Sequence, residues 1–182
     1  MPMRYDGLIK LKTKIDTKTG MTRQASDVPH FQMFVCRKVA ESGDGHTLFA
    51  SSALFAKYLP SPWTMEHLSN LTWSCETSGF FASKLSGLPL VIKHPSTGAM
   101  CLRWHDNWDS AETQYAGTIS RIENGPPELV EVLERLIYDQ RVCVRMQWKE
   151  GDVVVSDNVA MLHSRTGFKN GDERELWRVH VN

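Results

Sequence analysis

A chain of 182 residues is long enough to enclose one core, and its 21 Lys plus Arg against 21 Asp plus Glu give zero formal net charge. No basic stripe interleaved with aromatics suggests a nucleic-acid partner. No run approaches the ~18 apolar residues of a membrane span, and the first residues lack the apolar stretch of a secretory leader, so a cytoplasmic protein with no membrane partner is expected. Cys36, Cys75, Cys101 and Cys143 are scattered without a Cys-x-x-Cys pair, which argues against a thiolate zinc site and for reduced, mostly buried thiols.

Residues 8–27 carry Lys10, Lys12, Lys14 and Lys18 around a turn signal at Asp16 to Gly20. They predict a solvated hairpin, either a surface insertion or a flap over a substrate. Phe31 to Cys36 reads as an apolar strand and Glu41 to Thr47 as a glycine turn. Ser51 to Tyr58 predicts a short helix capped by Ser51 or Ser52 and stopped by Pro60; Pro62 to Asn70 predicts a second, and Leu71 to Phe81 a strand. Leu88 to Lys93 and Ala99 to Trp104 flank the turn Pro95-Ser-Thr-Gly98 and form a hairpin. The clearest helix opens at Pro126-Pro127; its stripe of Leu129, Val130, Val132, Leu133, Leu136 and Ile137 has acidic residues early and Arg135 late. Val142 to Trp148, Asp152 to Ser156 and Trp177 to Val181 complete the strands. Many short strands with one good helix point to a mainly β jelly roll with the helix packed outside. One domain over residues 1–182 is the simplest division.

The segment Trp148-Lys-Glu-Gly151-Asp152-Val-Val-Val-Ser-Asp157-Asn158-Val-Ala-Met-Leu-His163 places a single imidazole after two apolar runs. Arg174 and Arg178 follow, eleven and fifteen residues on. Strand alternation puts Arg174, Leu176 and Arg178 on one face and Trp177 on the other, and a guanidinium on such a face suits a carboxylate. The pattern reads as a metal-and-carboxylate site.

This stretch resembles the iron(II)- and 2-oxoglutarate-dependent dioxygenases of the taurine dioxygenase and 2,4-dichlorophenoxyacetate dioxygenase superfamily. Three further blocks occur in the family's order: Val28-Pro-His-Phe-Gln32-Met-Phe-Val-Cys36 with Glu41-Ser-Gly43-Asp-Gly45-His-Thr47, Leu90-Val-Ile-Lys-His94-Pro95-Ser-Thr97-Gly98, and Leu102-Arg103-Trp104-His105-Asp-Asn-Trp108. Tyr5-Asp6-Gly7 taken with Leu102 to His105 is most similar to the branch that acts beside isocyanide synthases on amino-acid-derived isonitriles. The resemblance implies a double-stranded β-helix of the clavaminate synthase type, Fe(II), 2-oxoglutarate as cosubstrate, and hydroxylation or desaturation of a small-molecule substrate. It implies Asp6 and His163 as metal ligands, Thr47 and Arg174 as the 2-oxoglutarate carboxylate site, and Arg178 facing substrate. It also implies that the family's usual N-terminal portion is lacking, because the likeness begins at residue 4.

One position conflicts. The family takes its first two ligands from His-x-Asp, and the matching segment is Arg4-Tyr5-Asp6. Residues i and i+2 of a strand point the same way, so Arg4 should meet Asp6, and a guanidinium offers a metal no lone pair. Two readings stand: a weakened or lost iron site, leaving a relic that binds a small carboxylate or a protein partner, or a site that recruits water, His30 or His105. For His94, in a Pro-containing turn, a structural hydrogen bond is expected, and for Arg165 a structural salt bridge.

Overall fold

The computed structural model describes residues 2–8, 11–15, 20, 22–26, 28–77, 83–108, 117–167, 169 and 171–182. In chain order the elements are β1 (Leu11–Ile15), β2 (Thr22–Ser26), β3 (Phe31–Lys38), β4 (Thr47–Ser51), α1 (Ser52–Tyr58), α2 (Met65–Ser69), β5 (Thr72–Thr77) and β6 (Ser83–Pro89). There follow β7 (Val91–Lys93), β8 (Met100–Leu102), β9 (Thr118–Ile122), α3 (Leu129–Ile137), β10 (Cys143–Met146), β11 (Val153–Asp157), β12 (Met161–Arg165) and β13 (Glu175–Val181).

Two antiparallel three-stranded sheets, ordered β11-β3-β13 and β10-β4-β12, enclose the site. In the first, inward side chains form the cross-strand rows Leu176 with Cys36, Arg178 with Phe34, and His180 with Gln32. In the second, His163 lies opposite Phe49 and Arg165 opposite Thr47. Phe34, Cys36, Phe49 and Trp148 pack between the sheets as a small core, with the Phe34 and Phe49 rings 6.1 Å apart in an edge arrangement. A double-stranded β-helix results, as expected.

The larger core lies outside the β10-β4-β12 sheet. There α1, α2 and α3 pack with Trp73, Leu90, Trp104 and Leu162, and α3 buries Leu129, Leu133, Leu136 and Ile137, spaced four, three and one apart on one face. Each such aliphatic side chain contributes roughly 1.5–3 kcal/mol on burial. Ser51 caps α1 by accepting from the Leu54 amide at 3.4 Å, and Thr64 caps α2 by accepting from His67 at 3.1 Å.

β1 pairs with β2 as the expected hairpin, while its tip at 16–19 and Phe80 and Phe81 lie outside the described residues. The strand β4 was hidden in the sequence beyond the glycine turn, because Thr-Leu-Phe-Ala-Ser is covered on both faces and does not alternate. The turn itself uses Gly43 and Gly45 at φ of 74° and 75°, where a side chain would be strained. Cys36, Cys75 and Cys101 are buried free thiols, as expected, and Cys143 is half-buried. Among the described residues no helix is long and apolar enough to cross a membrane.

Candidate functional site

The segment 4–6 docks beside β12 through two backbone bonds, Arg4 N–H to the His163 carbonyl at 2.9 Å and His163 N–H to the Arg4 carbonyl at 2.7 Å. Asn158 locks the next residue: its Oδ1 accepts from the Asp6 amide at 2.9 Å, and its Nδ2 donates to the carbonyls of Asp6 at 3.1 Å and Pro29 at 2.9 Å. Strand alternation then turns Arg4 and Asp6 toward the space between the sheets and Tyr5 away from it. Behind, the Arg103 guanidinium sits 3.4 Å from the Tyr5 ring centroid, and His105 Nε2 donates to the Tyr5 carbonyl at 2.8 Å. The two sequence blocks Tyr5-Asp6-Gly7 and Leu102 to His105 are therefore one physical cluster that buttresses the Arg4–Asp6 segment.

The Asp6 carboxylate is crowded with donors. Its Oδ2 accepts from Gln32 Nε2 at 2.6 Å, from Arg178 Nη1 and from His180 Nε2 at 3.1 Å. Its Oδ1 faces Arg4 Nε at 3.5 Å and His163 Nε2 at 3.6 Å. Burial pushes the carboxyl pKa up, but the opposing pull of His163, Arg178 and Arg4 is larger in sum and holds it below the ordinary range. Burial also drives His163 down to about 3, with Arg4 and Arg178 adding to the effect, so the imidazole is neutral at neutral pH. The charges that hold Asp6 ionised there are consequently the two guanidiniums.

A second cluster stands beside it. Thr47 Oγ1 accepts from Trp148 Nε1 at 2.8 Å and from Arg174 Nη2 at 3.1 Å. Burial, with Arg165 nearby, lowers the Arg174 pKa to about 10, still fully charged at neutral pH. A cleft of about 350 Å³ joins the clusters, lined by Arg4, Thr47, His163, Arg165, Arg174 and Arg178. All five site residues read from the sequence thus converge: Asp6 and His163 on one side, Thr47 and Arg174 on the other, with Arg178 reaching Asp6.

Some expectations need correction. Arg165, for which a structural salt bridge was expected, also lines the cleft. His105, one of the residues weighed as a recruited ligand, is engaged on the Tyr5 side: its Nε2 is bonded to the Tyr5 carbonyl and its ring packs on Tyr5 at 4.7 Å. His30 is exposed and lines a different pocket. Besides His163, a second imidazole reaches Asp6, that of His180, which was not read from the sequence; the signal was its place two residues beyond Arg178 on the same strand face. His94 behaves as expected, with Nε2 donating to Asp157 at 2.8 Å and Nδ1 accepting from the Ser96 amide at 3.2 Å.

His163 suits a divalent metal: a neutral imidazole whose buried Nε2 has no hydrogen-bond partner and faces a carboxylate. The rest of the set does not. Arg4, which has no lone pair to offer, lies beside Asp6, Arg178 pairs with the same carboxylate, and among the described residues no group of three or more His, Cys, Asp or Glu side chains is arranged to hold a metal. Residues 4, 6 and 163 do not form the two-histidine, one-carboxylate set of an Fe(II) oxygenase.

Known proteins share this fold and sequence. The isocyanide synthase xanB of Aspergillus fumigatus is 50% identical over 182 residues, all of this chain and 24% of that protein. Isocyanide synthase A of the same fungus is 40% identical across 100% of this chain and 31% of its own length, and a tyrosine isonitrile desaturase of Pseudomonas aeruginosa is 28% identical over 85% of this chain and 55% of its own. The chain thus spans a quarter to a third of the two fungal relatives. Among solved structures, PvcB, an Fe, alpha-ketoglutarate dependent oxygenase from an isonitrile synthetic pathway, superposes with a TM-score of 0.68 at 24% identity, covering 99% of this chain and 56% of that one. A taurine dioxygenase from Burkholderia xenovorans gives 0.65 at 21% identity over 85% of this chain and 52% of that one. The model of the taurine catabolism dioxygenase TauD, TfdA family matches residues 13–180, and the chain belongs to that family.

Proposed function

We propose that this chain is an oxygenase-family domain of isonitrile metabolism whose arginine cleft holds 2-oxoglutarate without requiring iron. The observation that carries this reading is the contact of Arg174 with Thr47 at 3.1 Å in a cleft that also presents Arg4, Arg165 and Arg178. A planar guanidinium meets a carboxylate through two parallel N–H bonds. Thr47 Oγ1 already accepts from Trp148 and Arg174, so its own hydrogen is left to donate to the ligand. Four guanidiniums line the cleft beside Asp6, and a dianion offsets positive charge of that kind. Arg178, partly exposed, is the candidate contact for a small amino-acid-derived substrate. The relatives named for isocyanide synthesis and isonitrile desaturation support that context.

Calorimetry with 2-oxoglutarate in excess chelator tests the proposal. Binding that weakens at least about tenfold in Arg174→Ala, the worth of one charge-assisted bond, is the expected result. Absence of binding until metal is supplied would overturn it.

The buried, partnerless Nε2 of His163 favours a second reading. Here the domain is an active Fe(II)/2-oxoglutarate oxygenase that hydroxylates or desaturates such a substrate, with Asp6 and His163 as its remaining protein ligands. Anaerobic addition of Fe(II) and 2-oxoglutarate separates the two: a visible charge-transfer band that disappears in His163→Ala supports the oxygenase, and neither band nor succinate at any iron concentration excludes it.

A further inference from the structure

Behind the cleft, on the Tyr5 side of the 4–6 segment, lies a second pocket of about 420 Å³. Aliphatic side chains make most of its wall, among them Leu8, Val28, Ile92 and Val159. Arg103 and Tyr5 line the pocket with His30 and Lys93, both exposed, and among the described residues none of its lining is acidic.

Arg103 is the unusual member. It is 4% exposed, and its Nη1 donates to the carbonyls of Asn158 at 2.7 Å and Val159 at 3.2 Å while the guanidinium plane rests on the Tyr5 ring. Among the described residues no carboxylate lies within ion-pair distance of it. Asp157, whose charge reaches it, is engaged by His94. A guanidinium does not give up its proton in proteins, and backbone carbonyls and an aromatic face compensate a buried cation only in part. An anion entering the pocket would complete the pairing, and the aliphatic wall would take up an apolar body attached to it.

We infer that this pocket binds an amphiphilic monocarboxylate, with the carboxylate directed to Arg103 and Lys93 and the hydrocarbon or aryl body against Leu8, Val28 and Ile92. The site is separate from the arginine cleft. Arg4 and Asp6 face the cleft, Tyr5 faces the pocket, and the two lining sets share no residue. A short dicarboxylate such as 2-oxoglutarate would strand its second charge on the aliphatic wall, so the two sites select different anions.

The test is calorimetry of the whole chain with octanoate and 3-phenylpropionate, each compared with its matching alcohol, in the presence of chelator. The acids bind at least about tenfold more tightly than the alcohols, the worth of one charge-assisted hydrogen bond. Saturating 2-oxoglutarate leaves this binding unchanged. Ile92→Trp, which fills the pocket, abolishes it, and Lys93→Glu, a rim substitution that leaves the core untouched, weakens it several-fold. Equal affinity for acid and alcohol, full binding in Ile92→Trp, or displacement by 2-oxoglutarate would each overturn the assignment, the last by moving the ligand to the arginine cleft.

Discussion

Arg4 and Arg103 are two guanidiniums withdrawn from water on opposite sides of the same short segment, and their charges are met in opposite ways. Arg4, with 19% of its side chain exposed, faces the Asp6 carboxylate that Arg178, His180 and Gln32 also reach. Arg103, 4% exposed, has backbone carbonyls and the Tyr5 ring. On the cleft side one anion organises several cations, so removing it disturbs all of them. On the core side Arg103 Nη1 donates to two neutral backbone carbonyls, and the cluster acts as a scaffold. A substitution at Arg4 should therefore retune the site, whereas one at Arg103 should loosen the segment that carries it.

The largest effect expected is that of Asp6→Ala. It leaves the buried guanidinium of Arg4 without its carboxylate and frees Arg178, His180 and Gln32 together. Loss of one partner of a buried pair typically destabilises by about 3–5 kcal/mol. Arg178 can turn to solvent, so Arg178→Ala should destabilise much less. Urea midpoints for the two variants check the contrast, and a loss of similar size in both would mean that Asp6 is not the organising charge.

Acid separates the two sides next. Burial holds both His163, in the cleft, and His105, under Tyr5, at about 3, while it lifts Asp106 to about 6 despite bonds from Tyr138 and Trp104. Between pH 6 and 4 the unfolded chain carries both imidazole protons, and the folded chain carries the single proton on Asp106. The unfolded state binds one proton more, so stability falls as pH falls, by about 1.4 kcal/mol per unit. Asp6, held below its ordinary pKa, keeps its charge across this window and adds nothing until lower pH. Asp106→Asn removes the opposing proton and should steepen the slope to roughly 2.7 kcal/mol per unit. A slope that does not change in that variant would show Asp106 to be ionised in the folded state.

Much of this site was legible in the sequence because the relevant residues obey strand periodicity. Arg174, Leu176 and Arg178 fall on one face, as alternation requires, and Arg4 meets Asp6 for the same reason. His180 obeys the same rule and was passed over because an imidazole near a chain end carries no local signal of a partner 174 positions away. β4 and β9 were unreadable for a different cause: β4 is covered on both faces, and β9 buries only Ser120, so neither shows a run of alternating apolar residues. The second pocket could not be read at all, since it is assembled from segments near residues 5, 28, 92, 103 and 159 that only the fold brings together.

Arg4→His probes the cleft side directly. The substitution removes a fixed cation whose repulsion of a dication a few ångströms away amounts to several kcal/mol at an effective dielectric of ~20, and it supplies a nitrogen ligand beside Asp6 and His163. Loss of the Arg4–Asp6 pair and the continued presence of Arg178 offset part of this. A net gain of about 2 kcal/mol, roughly thirtyfold in Co(II) affinity, is expected from visible absorption titrations with the fold verified by circular dichroism. Affinity equal to or below that of the starting protein would mean that Arg4 does not occupy the position of the first ligand.

The smallest effect concerns Thr47, where the cleft and the small core between the sheets meet. Thr47→Val keeps the shape of the side chain and removes the acceptor shared by Trp148 Nε1 at 2.8 Å and Arg174 Nη2 at 3.1 Å. Trp148 is 7% exposed, so its indole N–H loses its partner in a place water hardly reaches. Arg174 is half-buried and retains access to the cleft. The loss should be about 1–2 kcal/mol of stability, most of it from the orphaned indole donor. Because the hydroxyl is also the proposed donor to the ligand carboxylate, 2-oxoglutarate binding should weaken in the same variant, whereas Trp148→Phe should recover stability in the Thr47→Val background without recovering the ligand. Recovery of both would assign Thr47 to the core alone.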